Sequence, residues 1–335
     1  MAKRIGKRTV KLERDINIAS SAAIVGQKEY EGPLGKYFDK YQSDELFGEK
    51  TFEKAESRMQ ELTVSEALKK CGRTADDIDL ILAGDLLNQC IASSYGLREL
   101  EIPFLGLYGA CSTMALSLSL ASLMVESGTA TRAVAVTSSH FCGSERQYRF
   151  PLEYGNQRTP TAQWTVTASG AAIVESGNKN PKIKEITFGK IVDLGVSDAN
   201  NMGAAMAPAA ADTIRAYLDD TKTKPEDYDL ILTGDLGKVG SDLLLHLLSL
   251  DKIDISAVHN DCGKMIFDLK SQDVHSGGSG CGCSAAVFCS YIVNELRAKR
   301  LNNILFCATG ALMSPTASMQ GESIPGIAHL LHIVS

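Results

Sequence analysis

Leu107-Tyr-Gly-Ala-Cys-Ser-Thr-Met-Ala-Leu-Ser-Leu118 is the stretch on which the reading of this chain turns. Gly109 and Ala110 permit close backbone approach, and Ser112 and Thr113 are residues that cap orphan helix amides. From Met114 to Val125 the residues are small or apolar, and no charge falls before Glu126. A helix without a polar face must be buried on all sides, and Gly128 supplies its stop. The stretch therefore predicts a tight turn that delivers Cys111 onto the first turn of a buried helix. There the positive end of the helix dipole favours the thiolate. A buried structural cysteine is the other reading of the same position, and both stand at this point.

Working outward, buried strands are predicted at Ile16 to Val25, Asp79 to Leu82 and Ala133 to Thr137, with a strand or strand pair over Trp164 to Val174. Helical periodicity runs from Thr51 to Lys70. Gln27 to Gly48 reads as a loop, a lid or an interface arm, and a polar loop carries His140, Cys142, Glu145, Arg146 and Arg149. The second half repeats the first. Asp76-Asp-Ile-Asp-Leu-Ile-Leu-Ala-Gly-Asp-Leu86 matches Glu226-Asp-Tyr-Asp-Leu-Ile-Leu-Thr-Gly-Asp-Leu236 at eight of eleven positions. Further on, Cys111-Ser-Thr-Met-Ala115 falls on Cys283-Ser-Ala-Ala-Val287, and Arg132 to Val136 falls on Ile304 to Ala308. Two matches in the same order indicate an internal duplication. The hydrophilic Glu175 to Pro181 marks the boundary, giving halves of 1–178 and 179–335. Strands that are continuous apolar runs alternate with helices, which implies an α/β fold with parallel or mixed sheets covered by helices.

The composition narrows the function. Of 335 residues, 44% are apolar and 22% charged, with a net charge of −6 and no long basic run, so nucleic acid is not expected as a partner. The basic start has no apolar segment behind it, and Ile16 to Gln27 is too short to cross a bilayer. The chain reads as soluble and cytoplasmic, reaching a membrane only through partners. Nine scattered cysteines without a Cys-x-x-Cys pair read as reduced thiols, and Cys281-Gly-Cys283 lacks the ligands of a zinc site.

A duplicated α/β chain with a Gly109-Ala-Cys-Ser112 elbow opening a buried helix resembles the thiolase superfamily, and within it the ketoacyl synthase III type condensing enzymes. The resemblance implies a duplicated five-layer α-β-α-β-α fold and a homodimer formed through the first half. It maps Cys111 onto the nucleophile. Ala257-Val-His-Asn260 resembles the His-Gln-Ala-Asn strand end of the synthases, which places His259 as the activating histidine. The sequence departs at the third position, where Gly282 stands in place of the Asn of Asn-Thr-Ser-Ala-Ala. His275, in Val274-His-Ser-Gly-Gly278, resembles the thiolase His-Pro-x-Gly histidine instead. Losing an oxyanion donor costs about two to three orders of magnitude in turnover, so Cys111 and His259 read as vestiges of catalysis.

The chain as a whole resembles the stage V sporulation protein AD family. The resemblance is carried by Lys3-Arg-Ile-Gly-Lys-Arg8, Gly84-Asp-Leu-Leu-Asn-Gln89, Gly109-Ala-Cys-Ser-Thr-Met114, Ser138-Ser-His-Phe-Cys142, Val258-His-Asn-Asp-Cys262 and Gly277-Gly-Ser-Gly-Cys-Gly-Cys283. It implies binding of dipicolinic acid (pyridine-2,6-dicarboxylate) for its uptake into the developing spore, together with membrane proteins of the same uptake assembly at the spore inner membrane. No cofactor is expected, and Ca²⁺ enters only as the ion that the ligand chelates. A flat dianion asks for amide or cationic donors and an apolar wall. The residues expected to supply these are Cys111 at its helix N-terminus, His259 and Asn260 at a strand end, Asp85 and Asn88 after another strand end, and His275. Asp235, the repeat mate of Asp85, reads as a turn cap, and His246 among leucines reads as structural. The alternative function is a thioester-condensing acyltransferase using Cys111.

Overall fold

The computed structural model describes residues 2–148 and 158–335. Ten of its strands fall into two sets of five. The first set comprises β1 (Thr9–Gly26), β2 (Leu80–Gly84), β3 (Phe104–Gly106), β4 (Arg132–Ser139) and β5 (Ala168–Ser176). The second comprises β6 (Lys182–Thr187), β7 (Leu230–Thr233), β8 (His259–Asp261), β9 (Asn303–Ala311) and β10 (Gly326–Val334). The order across the sheet is β8-β7-β9-β10-β6-β1-β5-β4-β2-β3. In each set the two inner pairings are antiparallel and the two outer ones parallel: β1·β5, β5·β4, β4·β2 and β2·β3 are mirrored by β6·β10, β10·β9, β9·β7 and β7·β8. The sequence repeats fall on matching strands, β2 on β7 and β4 on β9.

Strand β1 is longer than the apolar run at 16–25. Its first half pairs with β6 and its second with β5, so one strand joins the two sets. The segment Lys11 to Asp15 is too charged to read as a buried strand. Pairing with β6 lapses between Lys11 and Ile16, and there the Glu13 and Arg14 amides donate to the Glu126 carboxylate at 3.3 and 3.0 Å while the side chains of Lys11, Glu13, Arg14 and Asp15 face solvent.

Alternation along each strand sorts side chains into layers, because successive residues point to opposite faces. Ala133 and Ala135 of β4, with Ile304, Phe306 and Ala308 of β9, share a core with Met114, Leu118 and Val125 of helix Thr113–Ser127 and with Ala286 and Phe288 of the helix that starts at Cys281. The opposite face of β4, Val134 and Val136, packs under helix Phe52–Lys70 through Val64, Ala67 and Leu68. The opposite face of β9, Leu305 and Cys307, packs under helices Met202–Thr221 and Gly237–Leu250 through Met206, Ala210, Ile214 and Leu244. The result is five layers, α-β-α-β-α, with the cysteine helix in the middle one. Among the described residues, the α-helices of seven residues or more are, in chain order, α1 (Phe52–Lys70), α2 (Ile91–Leu97), α3 (Thr113–Ser127), α4 (Phe141–Tyr148), α5 (Met202–Thr221), α6 (Gly237–Leu250) and α7 (Cys281–Val287).

Two expectations are revised. The segment around Cys142, Glu145 and Arg146 is not a loop but helix α4, whose Gly143, Ser144 and Glu145 are buried. Its polar residues turn inward as well as outward, which hides the amphipathic pattern. Arg149 lies outside the described residues. The 27–48 segment is not loop throughout: it opens with a short helix, Gln27–Tyr30, and its strand Lys40–Gln42 pairs in parallel with the end of β1. The stretch Ala110–Ser127, which includes α3, is apolar enough by length and composition to cross a membrane, but most of it is buried inside the protein.

Candidate functional site

The turn before α3 is built by its own hydroxyls. Ser112 Oγ donates to Gly109 O at 2.6 Å, Thr113 Oγ1 donates to Ala110 O at 2.6 Å, and Thr113 Oγ1 accepts from Gly109 N at 3.1 Å. Ser112 stands at the N-cap, yet its side chain closes the turn instead of capping an amide. Ala110 is held at φ +48°, a left-handed conformation that costs about 1–2 kcal/mol for a residue with a Cβ. Gly310, near the end of β9, gives the turn room: a Cβ there would lie 2.5 Å from Gly109 O. The elbow is thus a strained turn wedged against the second half of the chain, with Cys111 buried at its apex.

Asp235 sits beside that thiol. It follows β7 as Asp85 follows β2, but the two carboxyls do different work. Asp85 accepts from Leu87 N at 2.9 Å, Ser93 N at 2.8 Å and Ser93 Oγ at 2.6 Å, tying its turn to α2. Asp235 reaches across the molecule. Its Oδ1 accepts from Thr309 Oγ1 at 2.8 Å, its Oδ2 accepts from Gly280 N at 2.9 Å and Ser279 Oγ at 3.2 Å, and its charge acts on the Cys111 thiol. Burial pushes Asp235 up to about 7. Burial, then the Asp235 charge, push the Cys111 thiol well above its ordinary range, only partly offset by the Gly280 amide and the Ser279 hydroxyl. The helix dipole, worth about 0.3–1 kcal/mol, does not outweigh them. The thiolate expected from the helix N-terminus is replaced by a protonated thiol.

Cys111 opens onto a cavity of about 30 Å³, lined by Ala110, Ser144, Thr165, Ser279, Tyr108 and Tyr148 among others. Among the described residues, no histidine, lysine or arginine lines it. Asn88 lines a second cavity of about 290 Å³ that shares Tyr108, Tyr148 and Met313 with the first. The other expected residues stand elsewhere. His259 is on the edge strand β8, level with Ile231, whose carbonyl lies 3.1 Å from its Nδ1; its Nε2 is buried with no partner among the described residues, and burial lowers the ring to about 4. The residue at the strand end is Asp261, two positions ahead, which accepts from Leu236 N at 2.8 Å and Gly237 N at 2.9 Å. Asn260 accepts from Asp261 N at 2.9 Å and lines a separate groove with Lys36 and Lys264. His275 is exposed on a left-handed turn, 3.7 Å from Asp273.

The departure at Gly282 has a packing cause. A Cβ there would lie 2.3 Å from Ala168 O, and the Gly282 amide donates to Ser139 Oγ at 3.1 Å. Of the expected residues the structure therefore brings Cys111 and, one chamber away, Asn88 to a common cavity system. Asp235, Ser279, Tyr108 and Tyr148 join them unforeseen. For Asp235 the available signal was the second copy of the Gly-Asp-Leu repeat, which fixes where the carboxyl sits in its own half but not what it faces in the other.

A duplicated five-layer sandwich with a cysteine elbow at the start of its central helix is the architecture of thiolase-like condensing enzymes. The structure superposes on 3-oxoacyl-[acyl-carrier-protein] synthase III from Aquifex aeolicus VF5 with a TM-score of 0.58 at 13% identity, covering 96% of this chain and 100% of that one. It matches OleA from Xanthomonas campestris with a TM-score of 0.61 at 11% identity, covering 97% and 99%. At these identities the likeness is one of fold. The chain belongs to the stage V sporulation protein AD family: the family profile matches residues 6–334. Stage V sporulation protein AD of Bacillus subtilis (strain 168) is 47% identical to it over 324 residues, 97% of this chain and 96% of that protein.

Proposed function

We propose that this sporulation-family chain is a ligand-binding protein for dipicolinic acid, using a condensing-enzyme cavity whose nucleophile is disarmed. The observation that carries this reading is the Cys111–Asp235 pair. A carboxyl beside a buried thiol opposes ionisation, whereas a condensing nucleophile needs a nearby base or cation to favour it. What remains is a cavity system with aromatic and apolar walls and neutral donors, whose outer part is the kind of surface that receives a flat heteroaromatic ring. The absence of cations from the described lining of both cavities favours the calcium chelate, whose ion offsets the carboxylate charge, over the free dianion. On this reading the protein works with membrane proteins of the uptake assembly, held peripherally at the spore inner membrane. It pairs with a second copy through β3, an edge strand whose Phe104 and Leu105 are exposed.

Calorimetric titration of dipicolinate into the protein, with and without Ca²⁺, tests the proposal. Saturable binding that tightens with Ca²⁺ supports it, and no heat under either condition overturns it. A second reading, a thioester-condensing acyltransferase, is favoured by the retained elbow. It requires a stable acyl mass on Cys111 after exposure to acyl-coenzyme A.

A further inference from the structure

We infer that the ligand is held in the outer chamber, in front of a Tyr108–Tyr148 gate, and that the Cys111 chamber behind the gate is a water site. The inference rests on the dipicolinate reading for the identity of the ligand, while the gate stands on geometry alone.

The two chambers differ about tenfold in size. The inner one, about 30 Å³, has room for a water molecule and none for an aromatic ring. The outer one, about 290 Å³, is of the size that small-ligand sites reach. Between them stand two hydroxyls in contact, Tyr108 Oη and Tyr148 Oη at 3.1 Å. Tyr148 donates its proton to Leu86 O, so Tyr108 is the donor within the pair and both rings are fixed by directed bonds. Burial raises both phenols above their ordinary range, so the pair stays neutral.

The inner chamber also asks for a small polar guest. Ser144 is 2% exposed, lines the chamber, and its hydroxyl has no hydrogen-bond partner among the described residues. A buried unpaired hydroxyl costs about 1–3 kcal/mol. One water between Ser144 Oγ, the Cys111 sulfur and the hydroxyls of Thr165 and Ser279 removes that penalty and fills the available volume. The outer chamber shows the opposite character. Its wall includes Gln89 and Cys90 at φ +54° and +52°, two consecutive left-handed residues of the strained kind that collects at ligand sites.

The experiment uses the full chain. Ser144→Leu fills the inner chamber, and Asn88→Trp fills the outer one from an exposed position, each checked for native circular dichroism. Ser144→Leu is expected to leave the dipicolinate Kd within about twofold, and Asn88→Trp to weaken it at least about tenfold. The reverse pattern overturns the assignment. Independently of dipicolinate, Tyr148→Ala is expected to raise the rate of Cys111 alkylation by iodoacetamide, followed by the mass of the Cys111 peptide, at least about tenfold over wild type. An unchanged rate overturns the gate. If wild type binds no dipicolinate, the functional reading fails by itself and the alkylation result still decides the gate.

Discussion

Replacing Asp235 by Asn turns the electrostatics of the site into a measurable slope. Asp235 is fully buried, and burial raises it from an ordinary 3.8 to about 7. At about 1.4 kcal/mol for each tenfold change, that corresponds to about 4 kcal/mol of differential stability between its two charge states. The sign follows from linkage. A carboxyl raised in the folded state contributes stability that is full below its unfolded value near 4 and is lost as the pH rises through 7. Asn cannot ionise, so Asp235→Asn removes this loss. It also swaps one acceptor for a donor facing Gly280, Ser279 or Thr309, a penalty of about 1–3 kcal/mol that is the same at every pH. The difference in unfolding free energy, variant minus wild type, is therefore expected to climb by about 4 kcal/mol from pH 4 to pH 8. The intercept, by contrast, reports only the lost hydrogen bond. Equilibrium urea denaturation at a series of pH values measures the slope, and taking the difference cancels a raised carboxyl elsewhere, such as Glu29. In the same variant Cys111 loses the neighbouring charge, so its alkylation by iodoacetamide at pH 8 is expected to speed up. A flat difference between pH 4 and pH 8 would refute the placement of a strained, ionisable carboxyl against the thiol.

Two further outcomes follow from the fold. Phe288, just beyond α7, stacks on Phe306 of β9 with centroids 4.5 Å apart, and both are fully buried; Phe288→Ala is expected to lower stability by about 3–5 kcal/mol in urea titrations, and a loss below about 1 kcal/mol would mean that the central layer is not packed as described. Leu105→Lys, on the exposed edge strand β3, is expected to convert a dimer to a monomer in light scattering without changing the circular dichroism; a wild-type monomer would dismiss the pairing.

Much of this architecture was open to a reader of the chain alone. The uncharged run from Met114 to Val125 demanded burial on every side, and two matches in the same order made the fold a duplication. Those are local properties: burial of a helix and pairing of a strand follow from the spacing of apolar side chains. The α4 segment escaped because its buried residues, Gly143, Ser144 and Glu145, are small or polar. The site itself divided along the same line. Cys111 was legible because its turn and helix are contiguous in the chain. His259 was placed by likeness to a strand end, but the strand continues to Asp261, and a shift of two residues moves a side chain by about 7 Å along the strand.

What the tertiary structure alone decided is the character of the thiol and the shape of the space in front of it. Helix position argued for a thiolate, and burial, joined by Asp235 from 124 residues away, holds it as a thiol. Tyr108 and Tyr148, forty positions apart, meet only because α4 folds over the elbow. The reason is physical: periodicity, capping and glycine act over a few residues and are written in the local sequence. Desolvation, by contrast, and the contact of two side chains across a core depend on which surfaces the whole chain brings together.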